Sequence, residues 1–351
     1  MSLNRPQPSP YVRTPVHDSD FCRKGSRTRN ARAPVEPQFS SVKVTAPCTT
    51  ANLGPGFDVF GLALEAFHDT VQVQSSSKGG VEVEVAGDYS GNVPRDPNLN
   101  SAGLAARHLL SQLGIKIGVK VRVGKGIPVG KGLGSSAASA AAAVVCLNSM
   151  LGLDLTKNEI VEVAAQGEVA SAGAPHADNA AAAVFGGFTF IQSYSPFSVV
   201  GLAAPRRLEI AIAIPEVPFA KNKTKAARAV LPNEVPLDKI ARNVSGVASI
   251  VTGILSEDIG LIGKGMVDAI VEPARARLIP GYAEVRRAAL KAGAEGVAIS
   301  GAGPSMIAIV DSAKVSPAPV AEAMREAFES AGVRCRALAS KPARGATVIE
   351  E

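Results

Sequence analysis

One run, Val119 to Gly152, constrains the fold more than any other stretch of this chain. Val119-Lys-Val-Arg-Val123 alternates apolar and polar residues, gives way to a glycine-rich stretch from Lys125 to Ser135, and continues into Ser135-Ser-Ala-Ala-Ser-Ala-Ala-Ala-Ala-Val-Val145. Strict alternation is the pattern of a half-buried strand. The alanine-rich run reads as a helix starting at Ser135/Ser136 and ending near Gly152. With so little side-chain bulk it can lie very close to a sheet. Gly130, Gly132 and Gly134 expose backbone N–H groups just where that helix begins. A helix N-terminus carries about half a positive charge, so a phosphate group belongs there.

Two common phosphate loops are excluded. A Walker A motif needs four residues between its glycines and a hydroxyl residue after the lysine; here five residues separate Gly124 from Gly130, and Lys131 is followed by Gly132. A G-x-G-x-x-A match exists at Gly132, Gly134 and Ala137, with Asp154 further on. Asp154 follows a helix end, however, whereas the ribose-binding acid of a dinucleotide fold sits at the end of a strand.

The rest of the chain reads as alternating strands and helices. Strands are expected at Val42 to Thr45, Thr70 to Gln74, Val81 to Val85, Phe188 to Gln192, Leu208 to Ile214, Val297 to Ile299, Met306 to Val310 and Val333 to Ala339. Helices are expected from about Ser101 to Leu113, after the Thr156/Glu159 capping box, and over Asp238–Leu255, Ile259–Ile270, Ala283–Ala292 and Pro319–Ala331. With 351 residues two domains are expected, divided near Ala203 to Arg207.

Charge narrows the partners. Of the net +6, most lies in residues 1–40, which carry seven Lys/Arg against Asp18, Asp20 and Glu36. This Pro/Arg/Ser-rich stretch has no apolar periodicity, so it reads as a disordered basic extension. The body has no Trp and no basic face interleaved with aromatics, which argues against nucleic-acid binding. The longest small-apolar run, Ala137 to Leu147, is too short to span a membrane. Cys22, Cys48, Cys146 and Cys335 are widely spaced, which fits a reducing compartment: the cytoplasm, with a plastid stroma less favoured because Asp18 and Asp20 do not suit a transit peptide.

Three segments together resemble the GHMP kinases. Pro128-Val-Gly-Lys-Gly-Leu-Gly-Ser-Ser-Ala-Ala138 is similar to their phosphate loop, Pro47-Cys-Thr-Thr-Ala-Asn-Leu-Gly-Pro-Gly-Phe-Asp58 to their N-terminal motif, and Gly296-Val-Ala-Ile-Ser-Gly-Ala-Gly-Pro-Ser305 to their C-terminal glycine motif. The order is the family's, and the resemblance runs from Val42 to the C-terminus. It implies an α+β two-domain fold. A ribosomal-protein-S5-domain-2-like nucleotide domain would occupy residues 41–205, and a ferredoxin-like α/β sandwich residues 206–351.

The N-terminal motif and three further segments resemble the homoserine kinase branch. Pro175-His-Ala-Asp-Asn179 looks like the stretch that lines its acceptor pocket, while Lys221–Arg228 and Glu272-Pro-Ala-Arg275 look like its carboxylate-binding segments. The resemblance then implies roles. Pro128, Val129, Gly130, Lys131, Gly132, Leu133, Gly134, Ser135, Ser136, Ala137 and Ala138 would hold ATP, backed by Gly301 and Gly303. Ser136 and Glu168 would hold Mg²⁺, and Thr224 would touch the γ-phosphate. Arg228 and Arg275 would clamp the carboxylate of L-homoserine, a role suited to the planar guanidinium fork. Asp58, with Asn52, would hold its ammonium group, and His176 would line the pocket. Asp178 and Asn179 would position the hydroxyl, with no residue compelling as a general base.

Bland readings stand beside these. Arg277 competes with Arg275, and only the E-P-x-R match separates them. His176 alone would read as structural, Asp58 as a turn residue and Glu168 as surface charge. Lys131, often a small hydroxyl residue in the family, either adds charge beside the triphosphate or points to solvent. The resulting expectation is an ATP- and Mg²⁺-dependent phosphorylation of homoserine toward threonine, by a protein for which a homodimer is compatible. The alternatives are another GHMP small-molecule kinase of the mevalonate-pathway type, and a non-catalytic ligand-binding member whose phosphate loop would be eroded.

Overall fold

A computed structural model describes residues 36–173, 175–217 and 223–351. Residues 1–35, and Lys221 and Asn222 of the expected carboxylate-binding segment, lie outside the described residues.

The first sheet begins with β1 (Ser41–Asn52), β2 (Gly56–Ser76) and β3 (Val81–Ala86), followed by α1 (Ser101–Leu113) and β4 (Gly118–Gly124). Inward-pointing Val42, Val44, Val71, Val73, Val119, Val121 and Val123 are buried, as strict alternation requires. Next come α2 (Ser135–Leu151), α3 (Lys157–Gly167), α4 (Val169–Ala172) and α5 (Asp178–Phe185). α2 lies against β1 and β2, and its small residues from Ala137 to Ala143 are all buried. The expected capping box on α3 is present, formed by Thr156 and Glu159. The hairpin of β5 (Phe188–Tyr194) and β6 (Phe197–Leu202) completes this half. Along these strands the sheet order is β1-β2-β4-β3, with β5 pairing β2 and β6.

The chain opens its second sheet at β7 (Leu208–Pro215), followed by α6 (Lys223–Ala229), α7 (Leu237–Leu255), α8 (Ile259–Gly265), α9 (Val271–Ala276), α10 (Tyr282–Lys291), β8 (Gly296–Ile299), β9 (Met306–Asp311), α11 (Pro317–Ser330), β10 (Cys335–Ser340) and β11 (Thr347–Glu350). Its order, β10-β7-β9-β8, places the fourth strand beside the first and the third beside the second, antiparallel throughout. That is the arrangement of a ferredoxin-like sandwich. Val285, Ala289, Met324 and Phe328 of α10 and α11 pack on this sheet.

Several expectations are corrected. The C-terminal segment does not stay with the second sheet, because β11 returns to pair with β1 through Val44 and Val348. The two domains pack as one compact unit over residues 36–351. The extension expected over residues 1–40 is tied down at its end: Gln38 donates its backbone N–H to Met150 O at 2.7 Å, and Ser40 O accepts from Ser75 N at 3.0 Å. The helix expected over Ile259–Ile270 stops at Gly265, because Asp268 caps a new helix by accepting the N–H groups of Ile270, Val271 and Glu272. β2 is far longer than the alternation predicted. It bends at a bulge opposite Pro47/Cys48 and serves β4 with one half and β5 with the other.

Candidate active site

β4 delivers the chain to the glycine loop, and the loop's geometry explains its glycines. Gly130, Gly132 and Gly134 have φ of 71°, 82° and 67°, the left-handed region that costs glycine nothing. At Gly132 space is also decisive, since a Cβ would stand 2.2 Å from Ser300 O and 2.7 Å from Gly303 O. Gly134 caps α2 without any side-chain hydrogen bond to the helix's first turn. Gly134, Ser135 and Ser136 line the cleft at this helix start, where the first-turn N–H groups and the helix dipole favour an anion. Ser136 Oγ donates to Glu168 Oε2 at 3.0 Å. Burial pushes the Glu168 carboxyl up to about 7, with Asp178 adding to the rise and Ser136 opposing it.

Segments far apart in sequence are joined behind this loop. Thr49 N–H donates to Leu133 O at 3.0 Å, Gly301 N–H to Ala51 O at 3.2 Å, and Ser305 N–H to Lys131 O at 3.2 Å. Ser300 Oγ lies 2.9 Å from Thr50 Oγ1 and 2.7 Å from Gly132 O. Asn52, at φ 73°, donates to Gly301 O at 2.9 Å and accepts the Asp58 N–H at 3.2 Å. Its amide is engaged at both ends, so it orients Asp58 and the third glycine turn.

Across the cleft the site is built of charge. Arg228 Nη2 donates to both carboxylate oxygens of Asp58 at 2.7 Å and lies 3.0 Å from His176 Nδ1. A guanidinium only donates, so Nδ1 accepts and the His176 proton sits on Nε2. That atom is buried and has no partner among the described residues. Burial, then the Arg228 charge, holds the His176 pKa below its usual value. Arg228 and Arg275 both lie 5.1 Å from the Phe57 ring centroid. Arg275 is 4% exposed, with Nε on Ala227 O and Nη1 on Gly301 O, each at 3.1 Å. Burial and then Asp58 push Asp178 up to about 6, while its Oδ1 accepts the Asn179 N–H at 2.7 Å. Asn179 Oδ1 accepts from Thr49 Oγ1 at 2.7 Å.

Residues 100–187 match the N-terminal domain of GHMP kinases, and residues 250–333 their C-terminal domain. Homoserine kinase of Methanococcus vannielii is 41% identical over 272 residues, 77% of this chain and 88% of that protein. The homoserine kinase of Halorubrum lacusprofundi is 39% identical over 310 residues, 88% of this chain and all of that one. The chain belongs to the homoserine kinase family. The crystal structure of homoserine kinase from Cytophaga hutchinsonii superposes with a TM-score of 0.82 at 38% identity, covering 89% of this chain and 98% of that one.

A single cleft in this homoserine kinase family member is lined by most of the residues expected from sequence: Pro128, Val129, Gly130, Gly132 to Ser136, Asn52, Asp58, Glu168, His176, Asp178, Asn179, Thr224, Arg228, Arg275 and Gly301. Four expected nucleotide residues do not line it. Ala137 and Ala138 are fully buried beneath the helix start, and Gly303 stands behind Gly132 with its carbonyl. Lys131 turns away from the cleft, its Nζ donating to Pro215 O at 2.9 Å and Val217 O at 3.2 Å. It neither meets solvent freely nor lines the cleft, and burial lowers its pKa.

Sequence reasoning missed Phe57, Thr49 and the hydroxyls of Thr50 and Ser300, all inside or beside motifs it had found. It also missed the buried ion pair of Lys125 and Asp69. A signal for that pair was present: Asp69 continues the inward parity of Val71 and Val73, and Lys125 that of Val121 and Val123.

Proposed function

We propose that this chain transfers the γ-phosphate of ATP to the side-chain hydroxyl of L-homoserine, releasing ADP and O-phospho-L-homoserine on the way to threonine. The observation that carries this reading is the pairing of Arg228 with Asp58 in the same cleft as the uncapped start of α2. A zwitterionic amino acid offers one carboxylate and one ammonium, and each finds its complement by replacing one half of that internal pair. A sugar or mevalonate has no use for both.

GHMP kinases use ATP as phosphate donor, and the loop from Gly130 to Ser136 suits its triphosphate. The Ser136 hydroxyl and the Glu168 carboxylate are hard oxygen donors 3.0 Å apart. They fit Mg²⁺, which favours oxygen ligands, and a carboxyl pushed up to about 7 by burial gains from a nearby cation. Bound there, the metal would neutralise charge on the phosphates. Thr224 donates to the γ-phosphate, and the His176 Nε2–H is left to meet an acceptor on either substrate. Asn179, held by Thr49 and Asp178, orients the hydroxyl. The hydroxyl oxygen attacks Pγ, the bond from Pγ to the β–γ bridging oxygen breaks toward ADP, and the hydroxyl proton passes to a γ-phosphate oxygen. Asp178 positions Asn179 and removes no proton.

The test is a coupled ADP-release assay with homoserine, mevalonate and galactose. Turnover with homoserine alone supports the reading; turnover with mevalonate alone would assign the mevalonate-type alternative, and ATP binding without turnover of any would assign a ligand-binding member.

A further inference from the structure

The mechanism above leaves the most deeply buried charges of the nucleotide half without a task. Lys125 is 3% exposed and Asp69 fully buried. Strand register brings them together: Val71 pairs with Val123 and Thr70 with Gly124, so the next residues out, Asp69 and Lys125, meet just beyond the ladder. The three donors of Lys125 Nζ reach Asp69 Oδ2, Ser135 O at 2.9 Å and Ser139 Oγ at 2.8 Å. The other carboxylate oxygen of Asp69 accepts the N–H groups of Gly126 at 3.0 Å and Ile127 at 2.9 Å. Ser139 Oγ also donates to Asp69 Oδ2 at 2.8 Å.

Stability alone does not account for this arrangement. Burying two charges is costly, and well-packed apolar replacements are often as stable. What the pair does geometrically is specific. Asp69 grips the chain where the glycine loop starts, at Gly126 and Ile127, and Lys125 grips it where the loop ends, at the carbonyl of Ser135. Between those two points lie all three left-handed glycines. Glycine has the most conformational freedom to lose, and any freedom still present when the triphosphate arrives is lost at the expense of affinity. Neither side chain lines the cleft.

We infer that Lys125 and Asp69 are positioning residues for the phosphate loop: the pair clamps both stems of the loop in the conformation that receives the nucleotide. The inference rests on the reading of this loop as the ATP site.

The test compares Lys125→Met, Asp69→Asn and the double variant in the full chain, by melting temperature and by calorimetric Kd for ATP. Lys125→Met strands a buried carboxylate and lowers the melting temperature. In the double variant no charge is stranded, and the amide introduced in place of the Asp69 carboxylate keeps an oxygen for Gly126 and Ile127. Its melting temperature should return to within about 3 °C of the parent, while Kd for ATP stays raised about ten-fold or more, roughly 1.4 kcal/mol. KM for homoserine should change less than about three-fold. A pair with only a structural role would restore both, so parental stability with parental Kd overturns the inference. Should the double variant stay unstable, Ser139→Ala decides: it removes one acceptor of Lys125 and leaves both charges in place. A raised Kd at the parental melting temperature supports the clamp, and an unchanged Kd overturns it. An unmodified chain that binds no ATP would instead sink the proposed nucleotide site, whereas one that binds ATP without phosphorylating homoserine would sink only the proposed acceptor.

Discussion

The half of the cleft proposed for the nucleotide is made largely of backbone, whereas the half proposed for the acceptor is made of charged side chains. On the first side, carbonyls and N–H groups of β1, the glycine loop and the turn after β8 bond to one another, and Gly134, Ser135 and Ser136 at the start of α2 line the cleft. Such a surface, if it takes phosphate as proposed, already has its backbone in place. On the other side, Arg228 and Asp58 already pair with each other, so an amino acid bound there as proposed would exchange one set of ion pairs for another. Backbone-built sites recognise a group shared by many ligands, and side-chain-built sites select among them. The two halves should therefore fail differently.

Ser136→Ala should have the largest effect. Removing the hydroxyl beside Glu168 is expected to lower kcat by about 10²-fold or more at saturating Mg-ATP, the scale of one lost electrostatic contact at a developing charge. An unchanged kcat would mean that another residue does this work and that the nucleotide half is less dependent on side-chain oxygen than the geometry implies.

The arginines sharpen the comparison. Arg228→Ala should raise KM for homoserine about ten-fold or more and leave KM for ATP nearly unchanged, because its bonds stay within the acceptor half. Arg275→Ala should raise both, since Arg275 also holds Gly301 O, in the turn that backs the phosphate loop. Arg→Lys at either position should rescue only in part, because a lysine has no fork. Equal, acceptor-only effects in steady-state kinetics would show that the halves are less coupled than the Arg275–Gly301 bond suggests.

Stability should carry the signature of the strained carboxyls. Burial pushes Glu168 and Glu272 up to about 7, from an ordinary 4.5. Between those values the native chain binds more protons than the unfolded one, so stability is fullest below about pH 4.5 on their account and declines as pH rises through about 7. Glu168→Gln should therefore raise the melting temperature of the ligand-free protein at pH 8 by about 3 °C while abolishing most turnover. A lower melting temperature for that variant at pH 8 would show that the ionised carboxylate stabilises the empty site. The smallest effect belongs to the N-terminus: deleting residues 1–35 should leave melting temperature and activity as they are, and deleting residues 1–39 should cost about 1–2 °C through the lost Gln38–Met150 hydrogen bond.

Much of this was legible in the sequence because it is local. Alternation from Val119 to Val123, three glycines before an alanine-rich run, and the Thr156/Glu159 box depend on neighbours a few residues away, and each produced the element expected of it. The glycines of the loop belong to that class, since they permit the left-handed turns at Gly130, Gly132 and Gly134. The four nucleotide residues that miss the cleft were legible only as motif members; nothing in the motif says that Ala137 and Ala138 face the sheet or that Gly303 stands behind Gly132.

Only the tertiary structure decided where chemistry-bearing groups lying tens to hundreds of residues apart would meet. Arg228 finds Asp58 across 170 positions, Arg275 turns two of its donors to carbonyls, Lys131 reaches past its own loop to Pro215 and Val217, and β11 returns to β1. Hydrophobic periodicity records which face of an element is buried, and glycine records where the backbone must turn. Neither records which partner a long, charged side chain will choose, because that choice depends on strand register and on the direction of approach between elements. Asp69 and Lys125 mark the boundary between the two kinds of knowledge: their inward parity was written in the sequence, and their meeting was written only in the register of β2 against β4.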